Sequence, residues 1–130
     1  MNELKIEAKI ENMDAVQGFI NEHITACSEK TTNQILIAID EIFSNISLYA
    51  YNLKIGIVTI RIEVRENIVI VFEDEGIEYD PLASEDPDVS TSLEDRKAGG
   101  LGIFLVKNIM DSVTYKREGN KNILTLTKNL

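Results

Sequence analysis

Cysteine is nearly absent. Cys27 stands alone, which excludes an internal disulfide and a cysteine zinc cluster. It falls in an apolar stripe, where a small buried thiol is the expected role. Proline is almost as rare, with two residues, and a chain that is 44% hydrophobic and 27% charged has the make-up of a folded protein rather than a disordered one. No apolar run approaches the roughly 20 residues that cross a bilayer. Met1 to Lys9 alternates polar with apolar residues and lacks the core of a signal peptide. The expectation is therefore no membrane association and a cytoplasmic location. Basic residues are outnumbered 13 to 22, for a net charge of −9 and a pI of about 4.6. Phosphate backbones repel such a field, which argues against nucleic acid as a partner. Any anionic ligand must have this background offset locally, by backbone N–H groups or a cation.

What is present suits one ordinary domain, residues 1–130, with enough length for one core. Leu4, Ile6, Ala8 and Ile10 alternate with charged residues, as in a strand with one wet face. Asn12 or Asp14 can cap a helix carrying Val16, Phe19, Ile20, Ile24 and Cys27. Thr31 or Thr32 can start a second helix, whose apolar positions run from Ile35 to Ala50 and end near Tyr51. Ile57 to Val64 and Ile68 to Phe72 are rich in β-branched residues and read as a hairpin. Glu73 to Gly100 has little periodicity, holds both prolines and three of the seven glycines, and so reads as a long functional loop. Ile103 to Met110 suggests a short helix. Val113 to Arg117 and Ile123 to Thr127 suggest a closing hairpin around Glu118-Gly119-Asn120. The order predicts an α/β (α+β) two-layer sandwich, with a mostly antiparallel, mixed sheet covered on one face by about three helices.

Three segments can carry chemistry. Glu41 and Asn45 lie four residues apart on the second helix, so both project from one face, on the order of 6 Å apart at Cβ. A carboxylate can take a proton, and a neutral amide oxygen can ligate a hard cation already surrounded by phosphate oxygens. Taken alone, the pair reads first as a polar helix edge capable of local hydrogen bonding. Glu73-Asp74-Glu75-Gly76 follows a strand, where a carboxylate can accept from an exocyclic amine and a glycine lets backbone approach a flat base. Taken alone, it is equally an acidic turn. Gly99-Gly100-Leu101-Gly102 opens a helix, and bare N–H groups at a helix N-terminus favour an anion. Taken alone, it is equally a flexible hinge. Arg96 and Lys97 stand just upstream and can offset phosphate charge. No Walker motif follows, because Gly-Lys-Ser/Thr is missing.

In order and spacing, Glu-x-x-x-Asn, Asp-x-Gly and the glycine loop together resemble the GHKL ATPase superfamily with its Bergerat fold. Within it the chain looks most like the anti-sigma-factor serine/threonine kinases, which act on STAS-domain proteins. Residues 34 to 128 carry the resemblance. It implies ATP and Mg²⁺, with Glu41 as general base and Asn45 as Mg²⁺ ligand. It implies Asp74 and Gly76 at the adenine. Gly99, Gly100, Leu101, Gly102 and Ile103 would form the phosphate-contacting lid, with Arg96 a weaker candidate at the γ-phosphate. Tyr79-Asp80-Pro81 is similar to the family's aromatic-Asp-Pro turn. Glu78 stands where the family often has a second glycine, and Tyr49 where these kinases often have histidine.

The function so implied is phosphoryl transfer to a serine or threonine of an anti-anti-sigma-like partner. An ATP-responsive module that sequesters a sigma factor without catalysis would need the same pocket. The catalytic half of a sensor histidine kinase is a third reading. His23, the only histidine, sits on the first helix, where a partly exposed surface residue is the plainer role. A homodimer is expected from the resemblance alone.

Overall fold

The computed structural model describes residues 1–51, 54–83 and 100–130, with Gly100 and Leu101 described at the backbone alone. Five strands, β1 (Asn2–Glu7), β2 (Ile57–Val64), β3 (Asn67–Asp74), β4 (Ser112–Glu118) and β5 (Lys121–Asn129), form one sheet in the order β1-β2-β3-β5-β4. Every neighbouring pair is antiparallel, so the expected mixed sheet is corrected to a wholly antiparallel one. Three helices, α1 (Met13–His23), α2 (Glu29–Asn45) and α3 (Gly100–Ile109), complete the two-layer sandwich.

The two layers meet through a period-2 pattern on the strands and a 3.6-residue pattern on the helices. The inner sheet face carries Val58, Ile60, Ile62, Ile68, Ile70, Phe72, Leu124 and Leu126, all buried. Register aligns them in rows across the sheet: Ile60 faces Phe72, Phe72 faces Leu124, and Leu124 faces Tyr115. From the helices come Val16, Ile20, Ile35, Ile39, Ile42, Phe43 and Val106. On the outer face Arg61 bridges Glu3 at 3.0 Å and Glu73 at 3.3 Å.

Several boundaries differ from expectation for local reasons. α1 stops at His23 rather than near Cys27. Ile24 stays 1% exposed although it is outside the helix, so the apolar periodicity outlasts the helical backbone. Cys27 is only partly buried, packed against the core rather than enclosed by it. Asn12 occupies the α1 cap position but makes no capping bond; its amide donates to the Glu7 carbonyl instead. α2 starts earlier than Thr31, because Ser28 caps it by accepting from the Thr31 N–H at 3.1 Å. The α2 backbone gives way at Asn45 to a wider π turn, Ile46–Ala50. At the far end of the chain, Gly119 takes φ 62°, the left-handed conformation that lets β4 turn tightly into β5.

Candidate functional site

The inner rows of the sheet end in two polar residues. Two positions on from Phe72, period 2 brings Asp74 onto the same buried face, and two positions before Leu124 it brings Asn122. They are direct cross-strand partners, 5% and 7% exposed. The sequence reading ended this strand at Phe72. The structure extends it through Asp74, which turns Glu73 outward to Arg61 and Lys121 and leaves Asp74 facing inward.

Asp74 is held tightly. Its Oδ1 accepts from the Gly76 N–H at 2.9 Å and from Asn122 Nδ2 at 2.9 Å. Both of these bonds fall on Oδ1, so the second carboxylate oxygen is left for another donor. Asn122 itself is saturated as a donor: its second amide proton goes to the Ile77 carbonyl at 2.8 Å. Its Oδ1 accepts from the Tyr115 hydroxyl at 2.6 Å, Arg117 at 3.2 Å and the Tyr79 N–H at 3.3 Å. With both N–H groups spent, Asn122 orients Asp74 and has no proton to offer a ligand.

The turn after Asp74 is pinned on all sides. Arg117 donates to the Gly76 carbonyl at 2.9 Å. The Ile77 N–H satisfies the Ala50 carbonyl at 2.8 Å, one of the acceptors that a helix end leaves without an internal partner. The Glu75 N–H donates at 2.9 Å to the Tyr51 hydroxyl, which donates in turn to the Ile57 carbonyl at 2.6 Å. Gly76 is a glycine of close approach. A Cβ there would lie 2.7 Å from both the carbonyl carbon and the Cβ of Ala50. Downstream, Asp80 closes its own turn by accepting from the Leu82 N–H at 2.8 Å.

Above this floor opens a cleft of about 470 Å³, part of it open to solvent, lined among others by Asn45, Tyr49, Asp74, Ile77, Tyr79 and Ile103. Its walls are mostly apolar with a few polar groups, the usual make-up of a small-molecule site. Asn45 and Asp74 therefore share one cavity, as does Ile103 of α3. Glu41 is adjacent. It stands one turn before Asn45 on α2, and Gly102 in the first turn of α3 lies directly against its carboxylate. Burial is the main reason the Glu41 pKa is raised above the ordinary glutamate value. The charge of exposed Asp40 adds to it, and the neighbouring Asn45 amide opposes it. An amide carries both donors and an acceptor, so Asn45 can give its NH₂ to a carboxylate and keep its oxygen for a cation.

Of the residues named from sequence, Asn45, Asp74 and Ile103 line this cleft, Gly76 donates to Asp74, and Gly102 meets Glu41. Gly100 and Leu101 lie in the first turn of α3. Arg96, Lys97 and Gly99 lie outside the described residues. Among the described residues, no group of three or more His, Cys, Asp and Glu could hold a metal. Asn122, Arg117, Tyr115 and Tyr51 were missed. The legible signal for Asn122 was its phase with Leu124 and Leu126, which marks a polar residue on an apolar strand face. His23 is half-buried, with Nδ1 2.7 Å from the Phe19 carbonyl and its ring against Phe19.

A sequence profile described as the histidine kinase-like ATPase domain matches residues 6–128. The chain belongs to this family. The ATPase domain is 33% identical to the serine-protein kinase RsbW of Staphylococcus aureus over 71% of its own length and 62% of that protein's. It is 34% identical to the serine/threonine-protein kinase BtrW of Bordetella bronchiseptica over 50% of its length and 46% of that protein's. It thus spans less than two thirds of these curated relatives. Among solved structures, it is similar to the histidine kinase domain of a blue-light activated histidine kinase from Erythrobacter litoralis, with TM-score 0.57, 19% identity and coverage of 92% and 60% of the two chains. It is also similar to the histidine kinase AdeS of Acinetobacter baumannii, with TM-score 0.54, 14% identity and coverage of 99% and 68%. These two likenesses establish the fold. Among the described residues, no helix is long and apolar enough to cross a membrane.

Proposed function

We propose that this ATPase domain, residues 1–130, is a Mg²⁺-dependent serine/threonine kinase of the anti-sigma type, which transfers the γ-phosphate of ATP to a hydroxyl of a STAS-like protein. The observation that supports the reading is that Asn45 and Asp74 line one cleft, with Glu41 one helical turn before Asn45 on α2, in a chain whose curated relatives are named serine kinases. Asp74 presents its unbonded oxygen to the adenine amino group, and Gly76 allows the ring to approach the turn. The first turn of α3, through its N–H groups from Gly100 to Ile103, faces the phosphates.

Phosphoryl transfer is largely positioning and charge stabilisation. The incoming hydroxyl oxygen bonds to the γ-phosphorus as the bond to the ADP oxygen breaks, and the hydroxyl proton passes to Glu41. A carboxylate with raised proton affinity suits that role better than an ordinary surface glutamate. Mg²⁺, held by the Asn45 amide oxygen together with phosphate oxygens and water, would supply charge neutralisation. A sigma factor as second partner, a homodimer and a cytoplasmic location follow the same family reading.

Labelled ATP with Mg²⁺ and candidate STAS proteins tests the proposal. Glu41→Ala is expected to abolish labelling while ATP affinity changes less than about threefold, and Asn45→Ala to weaken affinity only when Mg²⁺ is present. ATP binding without labelling of any partner would favour a nucleotide-gated sequestering module. Equal nucleotide affinity of the Asn45 variant and the parent, with and without Mg²⁺, would remove the metal role.

A further inference from the structure

Glycine at position 102 has an explanation apart from phosphate binding. Gly102 has an ordinary helical backbone, with no positive φ to exclude a side chain. Alanine is the better helix former there, so conformational freedom does not account for glycine. Space does. A Cβ built on Gly102 would overlap Oε1 and Cδ of Glu41 and would sit 2.7 Å from Oε2, whereas one built on Gly18 in α1 meets nothing within 4 Å. The three atoms it would strike all belong to the carboxylate group. The backbone of the first α3 turn is therefore one wall of the space in which the Glu41 carboxylate rests. Asn45 and Asp40, on the same helix as Glu41, also act on this carboxylate, the first lowering its proton affinity and the second raising it.

We infer that Gly102 is a positioning residue for the general base: its missing side chain lets α3 press against Glu41 and fixes where that carboxylate points. The inference concerns the base's placement, and its catalytic consequence rests on the kinase reading above. The wall also keeps water from one side of the carboxylate, in line with burial as the main cause of its raised proton affinity. The contact ties α2, which carries Glu41 and Asn45, to the helix whose N-terminus faces the phosphates. A shift of α3 is then felt at the base as well as at the nucleotide.

Gly102→Ala separates this role from phosphate contact, because alanine keeps the backbone N–H. The added methyl meets the end of a flexible side chain, so the chain still folds and Glu41 swings away. In the full chain, Gly102→Ala is expected to lower the transfer rate at least tenfold and to change ATP affinity less than threefold. Glu41→Asp, one methylene shorter, should recover part of the rate when combined with Gly102→Ala. A readout free of kinase activity is the crystal structure of Gly102→Ala beside that of the parent. The Glu41 carboxylate should have left its place against α3 while the α3 backbone stays where it was. If the parent transfers no phosphate, this comparison still decides the contact. A carboxylate found in its original place overturns the inference. So does a tenfold loss of ATP affinity with the carboxylate unmoved, because the glycine would then serve the nucleotide alone.

Discussion

Replacing Asn122 with aspartate tests the floor of the site with almost no change of shape. The variant swaps an NH₂ for an oxygen at a position 2.9 Å from Asp74 Oδ1 and 2.8 Å from the Ile77 carbonyl. Two donated bonds become two acceptor–acceptor contacts. Leaving a buried acceptor unpaired costs about 1–3 kcal/mol, so the pair costs about 2–6. The three bonds into the other oxygen survive, and the one from the Arg117 guanidinium becomes an ion pair, which returns about 1–2 kcal/mol. The net loss is about 1–4 kcal/mol, a large share of the roughly 5–15 kcal/mol of a typical domain. The introduced carboxyl faces Asp74, and a like charge raises its folded-state pKa above the unfolded one. The deficit is therefore full above the folded pKa and shrinks as pH falls toward the unfolded value, where a shared proton restores one bond. Urea unfolding of Asn122→Asp and parent at pH 7.5 and pH 5 measures both effects, and ATP titration at pH 7.5 should show at least a tenfold loss of affinity. A variant within 0.5 kcal/mol of the parent at neutral pH, binding ATP equally, would refute the view that Asn122 holds Asp74 in place.

Other outcomes follow from the same geometry. Gly76→Ala forces a methyl onto the Ala50 backbone, and overpacking of this kind costs about 1–3 kcal/mol; urea unfolding should show it together with weaker ATP binding. Tyr51→Phe removes the hydroxyl linking the Glu75 N–H to the Ile57 carbonyl. It should cost about 0.5–1.5 kcal/mol, readable by the same unfolding assay. Ser28→Ala removes the α2 cap at a cost of about 1 kcal/mol and should leave ATP affinity unchanged. Asp40→Asn removes one cause of the raised Glu41 pKa, so the acid limb of the transfer rate should move to lower pH. Because Asp40 is exposed, that movement should fade in high salt.

The sequence made some elements plain and hid others, for reasons that particular residues show. Ile57 to Val64 was read at the bounds the structure gives, because a run of β-branched residues with one wet face has few other readings. β3 runs two residues past the expected end. Asp is depleted in strands, and only the pairing of Asp74 with Asn122 makes a buried carboxylate tolerable there. That pairing joins residues 48 positions apart, a relation no local pattern contains. Expectation split the α2 start between two threonines and passed over Ser28, because several capping residues stand in a row and the geometry alone chooses among them. Glu41, Asn45 and Asp74 were named as candidates because three motifs in order resemble a known family, whereas Arg117 and Tyr51 carried no such mark. Those two act through single bonds to the Gly76 carbonyl and the Glu75 N–H, and nothing in composition or periodicity marks such partners.

The cleft lies where the regular patterns of both layers fail together. The sheet's apolar rows end in Asp74 and Asn122, and α2 passes into the π turn just after Asn45. Either break alone would cost stability, as buried polar groups and irregular helix ends do. Here each supplies what the other lacks. The turn leaves the Ala50 carbonyl to be satisfied by the Ile77 N–H, and the strand end sends that N–H back toward α2. The cross-strand amide spends both its protons on the strand and its turn, so one oxygen of Asp74 is the polar group left over. Local sequence rules are broken at this one end of the sandwich, as expected where a chain trades regularity for a site.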